Sequence, residues 1–154
     1  MIVRLSLQDP EVVEQLWSLE HAAYRMEAAA IGLIEYPPLP ETFDSIRSSG
    51  DHFYGILADD GELLGAIVVT PAASPDCLEI ARLMIHPDHL RQGIGASLLK
   101  YVLDSHPDTN TFIVTAGTRN TPAVSLYRKF GFVPGESVTS AAGANLTVFR
   151  YHRS

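Results

Sequence analysis

Ile85-His86-Pro87-Asp88-His89-Leu90-Arg91-Gln92-Gly93-Ile94-Gly95-Ala96-Ser97-Leu98-Leu99 is the stretch from which the architecture can be read. Upstream, Cys77 to Ile85 has the length and apolar content of a strand, and Pro87 cannot donate to a ladder, so the strand must stop at His86-Pro87-Asp88. Downstream, Ile94, Leu98, Leu99, Val102 and Leu103 share one helical face, which predicts a helix entered through Gly93-Ile94-Gly95. Thr111-Phe112-Ile113-Val114-Thr115 is the next strand. Strand, helix and strand in that order imply a right-handed crossover between parallel neighbours.

Elsewhere the pattern is antiparallel. Ile2 to Leu7 alternate as a short strand, and Asp9-Pro10-Glu11 starts a helix that runs from Val12 to about Ala30. Tyr36-Pro37-Pro38-Leu39-Pro40 must interrupt it, and a second short helix follows from Glu41 to about Arg47. His52–Leu57 and Leu63–Thr70 flank Asp59-Asp60-Gly61-Glu62, whose Asp-Gly pair predicts a hairpin. Asn120-Thr121-Pro122 caps a helix with the stripe Ala123, Leu126, Tyr127 and Phe130, ended by Gly131. Two strands close the chain, Phe132 to Thr139 and Ala144 to His152. With no repeat or linker, residues 1–154 read as a single α/β (α+β) domain: a mixed, mainly antiparallel sheet with one parallel β-α-β unit and helices on both faces.

Composition narrows the function. The 154 residues carry 18 acidic and 11 basic side chains, a net charge of −7, which disfavours nucleic acid and anionic membranes as partners. The single cysteine excludes an internal disulfide, and Cys77 at a strand start reads as a small buried residue rather than a nucleophile. No run approaches the roughly 18 apolar residues of a membrane span and no signal-peptide pattern opens the chain, so a cytoplasmic location is expected. His86 and His89 have a spacing that could suit a metal, but they flank Pro87-Asp88 in a turn with no third ligand expected nearby, so no metal is expected.

The strand-to-helix junction around Gly93 is suited to an anion. The first N–H groups of a helix lack intrahelical partners, the macrodipole adds positive charge, and glycines admit a phosphate without an intervening Cβ. It is not a P-loop, because no Gly-Lys-Ser/Thr follows. Nor is it a dinucleotide fingerprint: the third glycine falls on Leu98 and Asn110 to Thr115 lack the acidic residue, which disfavours a nicotinamide-dependent oxidoreductase.

Two motifs carry a family resemblance. Ile85-His86-Pro87 followed by Leu90-Arg91-Gln92-Gly93-Ile94-Gly95-Ala96-Ser97-Leu98-Leu99 resembles the acetyl-CoA pyrophosphate loop of the GNAT N-acetyltransferases, although Leu90 stands where Gln or Arg is usual. Asn120-Thr121-Pro122-Ala123-Val124-Ser125-Leu126-Tyr127-Arg128-Lys129-Phe130-Gly131-Phe132 resembles that superfamily's N-x-x-A-x-x-L-Y-x-K-x-G-F motif. The resemblance implies acetyl-CoA as co-substrate and an amine acceptor, attacked directly in a ternary complex. It implies cofactor contacts from the backbone of Leu83, Met84 and Ile85, from Arg91, Gln92, Gly93, Ile94, Gly95 and Ala96, and from Asn120 and Tyr127. It assigns Tyr127 to the departing thiolate, although that residue also fits a core stripe. It makes Glu79 a candidate base, with pairing to a neighbour such as Arg82 as the plain structural alternative, or a water chain in its place. The acceptor side falls on about Glu20 to Ile46 and Ser137 to Asn145, where Glu27 and Glu35 are candidate partners for a cationic amine and Tyr24 and Tyr36 candidate walls. The acceptor is a small-molecule or peptide amine, and a homodimer is compatible with the fold. A catalytically weak CoA-binding regulatory module is the alternative.

Overall fold

Asp9 Oδ1 accepts the Glu11 amide at 3.0 Å, so the expected Asp-Pro-Glu helix start is made by the side chain that the sequence offers. Three residues earlier, Ser6 Oγ takes the Gln8 amide and Ser6 O takes the Asp9 amide, which turns the chain and ends the first strand at Arg4 rather than at Leu7. The computed structural model describes residues 1–30, 42–72, 74, 76–140 and 143–153, with the side chains of Glu27 and Ala30 excepted. The expected break at Tyr36–Pro40 lies outside these residues.

The elements are β1 Ile2–Arg4, α1 Pro10–Ala30, α2 Phe43–Arg47, β2 His52–Leu57, β3 Leu63–Pro71, β4 Cys77–Ile85, a 3₁₀ turn Pro87–His89, α3 Ile94–Ser105, β5 Thr111–Gly117, α4 Thr121–Lys129, β6 Val133–Thr139 and β7 Asn145–His152. The strands form one sheet in the order β1-β2-β3-β4-β5-β7-β6. Among the described residues only β4 and β5 pair in parallel and every other pair is antiparallel, as expected.

Two apolar layers sandwich this sheet. On one face, Ile94, Leu98, Leu99, Val102 and Leu103 of α3 and Tyr127 of α4 pack against Ile67, Ile80, Phe112, Val114 and Phe149. On the other, Val13, Leu16 and Leu19 of α1 and Ile46 of α2 cover Phe53, Ala66, Val68 and Met84. At roughly 1.5–3 kcal/mol per buried large apolar side chain, each layer can hold its helices in place. Gly65 on β3 allows the closest approach: a Cβ there would lie 2.6 Å from Ile94 Cγ2, so the first residue of α3 rests directly on the sheet. That contact fixes where the start of α3 sits.

Candidate active site

β4 and β5 diverge. Their register runs from Cys77↔Thr111 to Ile80↔Val114 and stops, although β4 continues to Ile85 and β5 to Gly117. From Ala81 onward β4 is paired along one edge only, to β3, with Gly65 opposite Ile85 and Ile67 opposite Leu83. Successive N–H groups of a strand point to opposite edges, and His86 N donates to Leu64 O, so the Met84 amide turns to β3 while the amides of Leu83 and Ile85 face the gap with no strand partner among the described residues, an edge that an extended ligand can complete. The gap opens at the carboxyl ends of two parallel strands, where ligands gather in α/β sheets.

The start of α3 closes this gap. Gly93, its N-cap, is left-handed at φ 77° and contributes no side-chain cap, and the first turn of the helix contains no acidic residue. Arg91 has φ 64° and is the only non-glycine residue with positive φ among the described residues. Left-handed residues at 91 and 93, separated by Gln92, turn successive N–H groups towards one concavity, and the amides of Ile94, Gly95 and Ala96 follow as the unpaired donors of the first helical turn. A Cβ on Gly93 would meet nothing within 4 Å, so the glycine is set by its left-handed φ and not by crowding. The positive φ at Arg91 and Gly93 and the uncapped first turn of α3 are compatible with the anion cradle expected from Gly-Ile-Gly, whose attraction for a phosphate would come from N–H donors rather than from formal charge.

α4 forms the opposite wall. Asn120 Oδ1 accepts the Ala123 amide at 3.4 Å and caps the helix. Tyr127 is only 4% exposed and packs against Phe132 and Phe149 at ring separations of 5.8 and 5.9 Å, so both of its expected attributes, motif tyrosine and core residue, meet in one side chain.

Glu79 lies on the other face of β4. Leu78 and Ile80 pack with the α3 layer, so alternation points Glu79 towards the face of α1 and α2, where it is half-buried. Just beyond it the β3–β4 register slips: Val69 faces Ile80 and Val68 faces Arg82, leaving Ala81 as the extra residue of a bulge. Arg82 pairs with Glu20 of α1, a carboxylate only 4% exposed, rather than with Glu79. Those two residues, with Asp51, Phe53 and Ala81, line a small cavity of about 130 Å³ between α1, α2 and β4. Nothing local in the sequence reveals this pair, whose members stand 62 residues apart. Farther along the same face Arg150 makes two 2.7 Å bonds to Glu136, which hold that carboxyl down at about 2. Burial raises the Cys77 thiol, consistent with an inert side chain. Of the acceptor-side residues, Tyr24 stands half-buried on α1, while the Glu27 side chain, Glu35 and Tyr36 lie outside the described residues.

One expectation is corrected. His86 and His89 do have an ionisable third neighbour: the hairpin register brings Glu62 Oε1 to 3.8 Å from His86 Nε2 and 3.7 Å from His89 Nε2.

Comparison with known proteins agrees with this geometry. A model of the Acetyltransferase (GNAT) family matches residues 13–132. The UPF0157 protein YqkA of Bacillus subtilis (strain 168) is 35% identical over 152 residues, covering 99% of this chain and 43% of its own length. This chain spans less than half the length of the curated relatives it matches. The fold is shared with the ribosomal-protein-S18-alanine N-acetyltransferase from Escherichia coli, at a TM-score of 0.76, 16% identity and coverage of 100% of this chain and 94% of that one. It is shared also with a chain of the NatC complex bound to Gag peptide and CoA, at a TM-score of 0.75, 14% identity and coverage of 100% and 98%. No helix among the described residues is long and apolar enough to cross a membrane. The match over residues 13–132, carried by a sheet that opens between β4 and β5 onto the start of α3, establishes that the chain belongs to the GNAT acetyltransferase family.

Proposed function

We propose that this chain transfers the acetyl group of acetyl-CoA to a primary amine of a small molecule or peptide, in a ternary complex, and that residues 1–154 act as one acetyltransferase domain. The observation that carries the reading is the gap between β4 and β5, closed at one end by the donor cradle of residues 91–96. Bound acetyl-CoA supplies an activated acyl thioester. The chain supplies the rest. Along the Leu83-Met84-Ile85 backbone the free amides of Leu83 and Ile85 hold the extended arm and offer a donor to the thioester carbonyl oxygen, and the amides of Gly93, Ile94, Gly95 and Ala96, with Arg91 and Gln92, hold the pyrophosphate. Asn120 contacts the cofactor while capping α4.

An alkyl ammonium at pH 7 is deprotonated only about once in 10³ molecules, a deficit of ~4–5 kcal/mol. Glu79, on the face opposite α3 and bordering the bulge, accepts that proton, directly or through a water. Tyr127 donates a hydrogen bond to the departing sulfur; full proton transfer from a phenol to a thiolate costs ~2 kcal/mol at ordinary acidities, so a hydrogen bond is the more economical role. The amine enters from the side of α1 and α2, where Asp51 lines the small cavity and Tyr24 stands half-buried on α1. The two solved relatives are named for a ribosomal-protein alanine acceptor and for a peptide complex, which supports a peptide amine among the candidates. The reaction suits the cytoplasm, where acetyl-CoA is available.

The test is release of free CoA thiol from acetyl-CoA in the presence of separate amino acids, polyamines, aminoglycosides and peptide N-termini. Thiol release that depends on one of these amines is expected. Tight acetyl-CoA binding with no amine-dependent release across the panel would favour a regulatory CoA-binding module instead.

A further inference from the structure

The correction at His86 and His89 leads to a site of its own. Glu62 lies immediately before β3, His86 immediately after β4 and His89 at the end of the 3₁₀ turn, and one ligand atom from each lies within 4.8 Å of the other two. His86 Nε2 and His89 Nε2 lie 3.8 and 3.7 Å from Glu62 Oε1, separations that one ion with metal–imidazole and metal–carboxylate bonds of ~2.0–2.2 Å spans. We propose that Glu62, His86 and His89 bind a divalent first-row transition cation, represented by Zn²⁺, and that the ion ties the β2–β3 turn to the connection that carries the anion cradle.

Four observations support the site. The backbone of each ligand residue is fixed: Ala58 N donates to Glu62 O at 2.8 Å, His86 N to Leu64 O at 2.8 Å and His89 N to His86 O at 2.9 Å. Gln92 Oε1 lies 3.1 Å from His89 Nδ1 and accepts its hydrogen, so the neutral ring has its lone pair on Nε2, the nitrogen 3.7 Å from the Glu62 carboxylate. Glu62 has no lysine or arginine partner among the described residues, so its charge is uncompensated unless a histidine is protonated or a cation enters. The surroundings are acidic, with Asp88 beside His86 and with Glu11 and Glu14 in the adjoining groove.

Two imidazoles and one carboxylate suit Zn²⁺, Co²⁺, Ni²⁺ or Cu²⁺ rather than Mg²⁺ or Ca²⁺, which prefer all-oxygen shells. His86 Nδ1 accepts the Asp88 amide at 3.1 Å, so the neutral ring carries its hydrogen on Nε2. Ligation through Nε2 moves that hydrogen to Nδ1, with no net change in the charge of the ring, and gives up the contact from the Asp88 amide. Three protein ligands leave the remaining positions to water. Because Gln92 both orients His89 and belongs to the cradle, an ion here restrains residues 86–92.

The experiment is calorimetric titration of the metal-stripped chain with ZnSO₄ and, separately, MgCl₂, together with Co²⁺ absorption spectra, for the wild type and for Glu62→Gln, His86→Ala and His89→Ala. Circular dichroism confirms that each variant is folded; all three side chains are partly or largely exposed, so the substitutions spare the core. The expected result is one Zn²⁺ per chain, affinity reduced at least tenfold in every variant, no Mg²⁺ binding, and a Co²⁺ visible band lost in the His86→Ala/His89→Ala double variant. Absence of Zn²⁺ binding by the wild type overturns the proposal, as does Zn²⁺ binding that the double variant retains.

Discussion

Replacing Gly93 by alanine separates the backbone geometry of the cradle from its ligand chemistry. In the free chain the added Cβ meets nothing within 4 Å, so the only cost of folding is the left-handed φ of 77°, about 1–2 kcal/mol for a residue with a side chain. For a chain of this size that lowers the midpoint of thermal unfolding by roughly 2–8 °C. In the proposed complex the same Cβ adds bulk beside the amides assigned to the pyrophosphate. Loss of one hydrogen bond to a charged oxygen costs ~1.5–3 kcal/mol, roughly a ten- to hundredfold weaker Kd for acetyl-CoA. Gly61→Ala is the matched control: its φ is 89°, its Cβ is equally unobstructed, and it lies in the β2–β3 turn outside the cradle. Thermal melts and calorimetric titration with acetyl-CoA should show similar destabilisation in both variants and weakened binding only in Gly93→Ala. Equal affinity in Gly93→Ala and wild type would refute the assignment of the anion to this turn.

Three further outcomes follow from the same geometry. Tyr127→Phe should lower turnover tenfold or more with acetyl-CoA still bound, as followed by thiol release and by titration; unchanged turnover would leave Tyr127 a core residue of α4 alone. Glu79→Gln should lose the acidic limb of the pH–rate profile, since a base works only while deprotonated and the wild-type rate falls as pH drops through its titration; an unaltered limb assigns proton removal to water. Glu136 is held at about 2 by Arg150, below its ordinary value of 4.5, so its contribution to stability is present above about pH 4.5 and is lost as pH falls towards 2. Glu136→Gln should therefore flatten the stability curve within that window, measured by urea unfolding at successive pH values.

The parts of this fold that were legible were those with local causes. Pro87, Gly93 and the Ile94–Leu103 face placed the β4–α3 junction, and Asn120 with Gly131 bracketed α4, because caps and breakers act within a few residues. What escaped was set by register. The β3–β4 pairing, Gly65 opposite Ile85, is what carries Glu62 to His86 and His89, and no spacing along the chain encodes it. The Ala81 bulge and the Glu20–Arg82 pair have the same origin: they join elements distant in sequence, and only the docking of α1 on the sheet brings them together. The divergence of β4 and β5 was invisible too, since a strand reads the same whether its neighbour stays or leaves.

The central claim is that the gap between β4 and β5 holds acetyl-CoA, and amide chemical-shift mapping of the ¹⁵N-labelled chain during titration with acetyl-CoA tests it most directly. The account predicts that the largest perturbations fall on Leu83, Met84 and Ile85, on residues 91–96 and on Asn120, with β1 and β2 unaffected. Saturating acetyl-CoA that leaves those amides unmoved, or that perturbs a different surface, would contradict it.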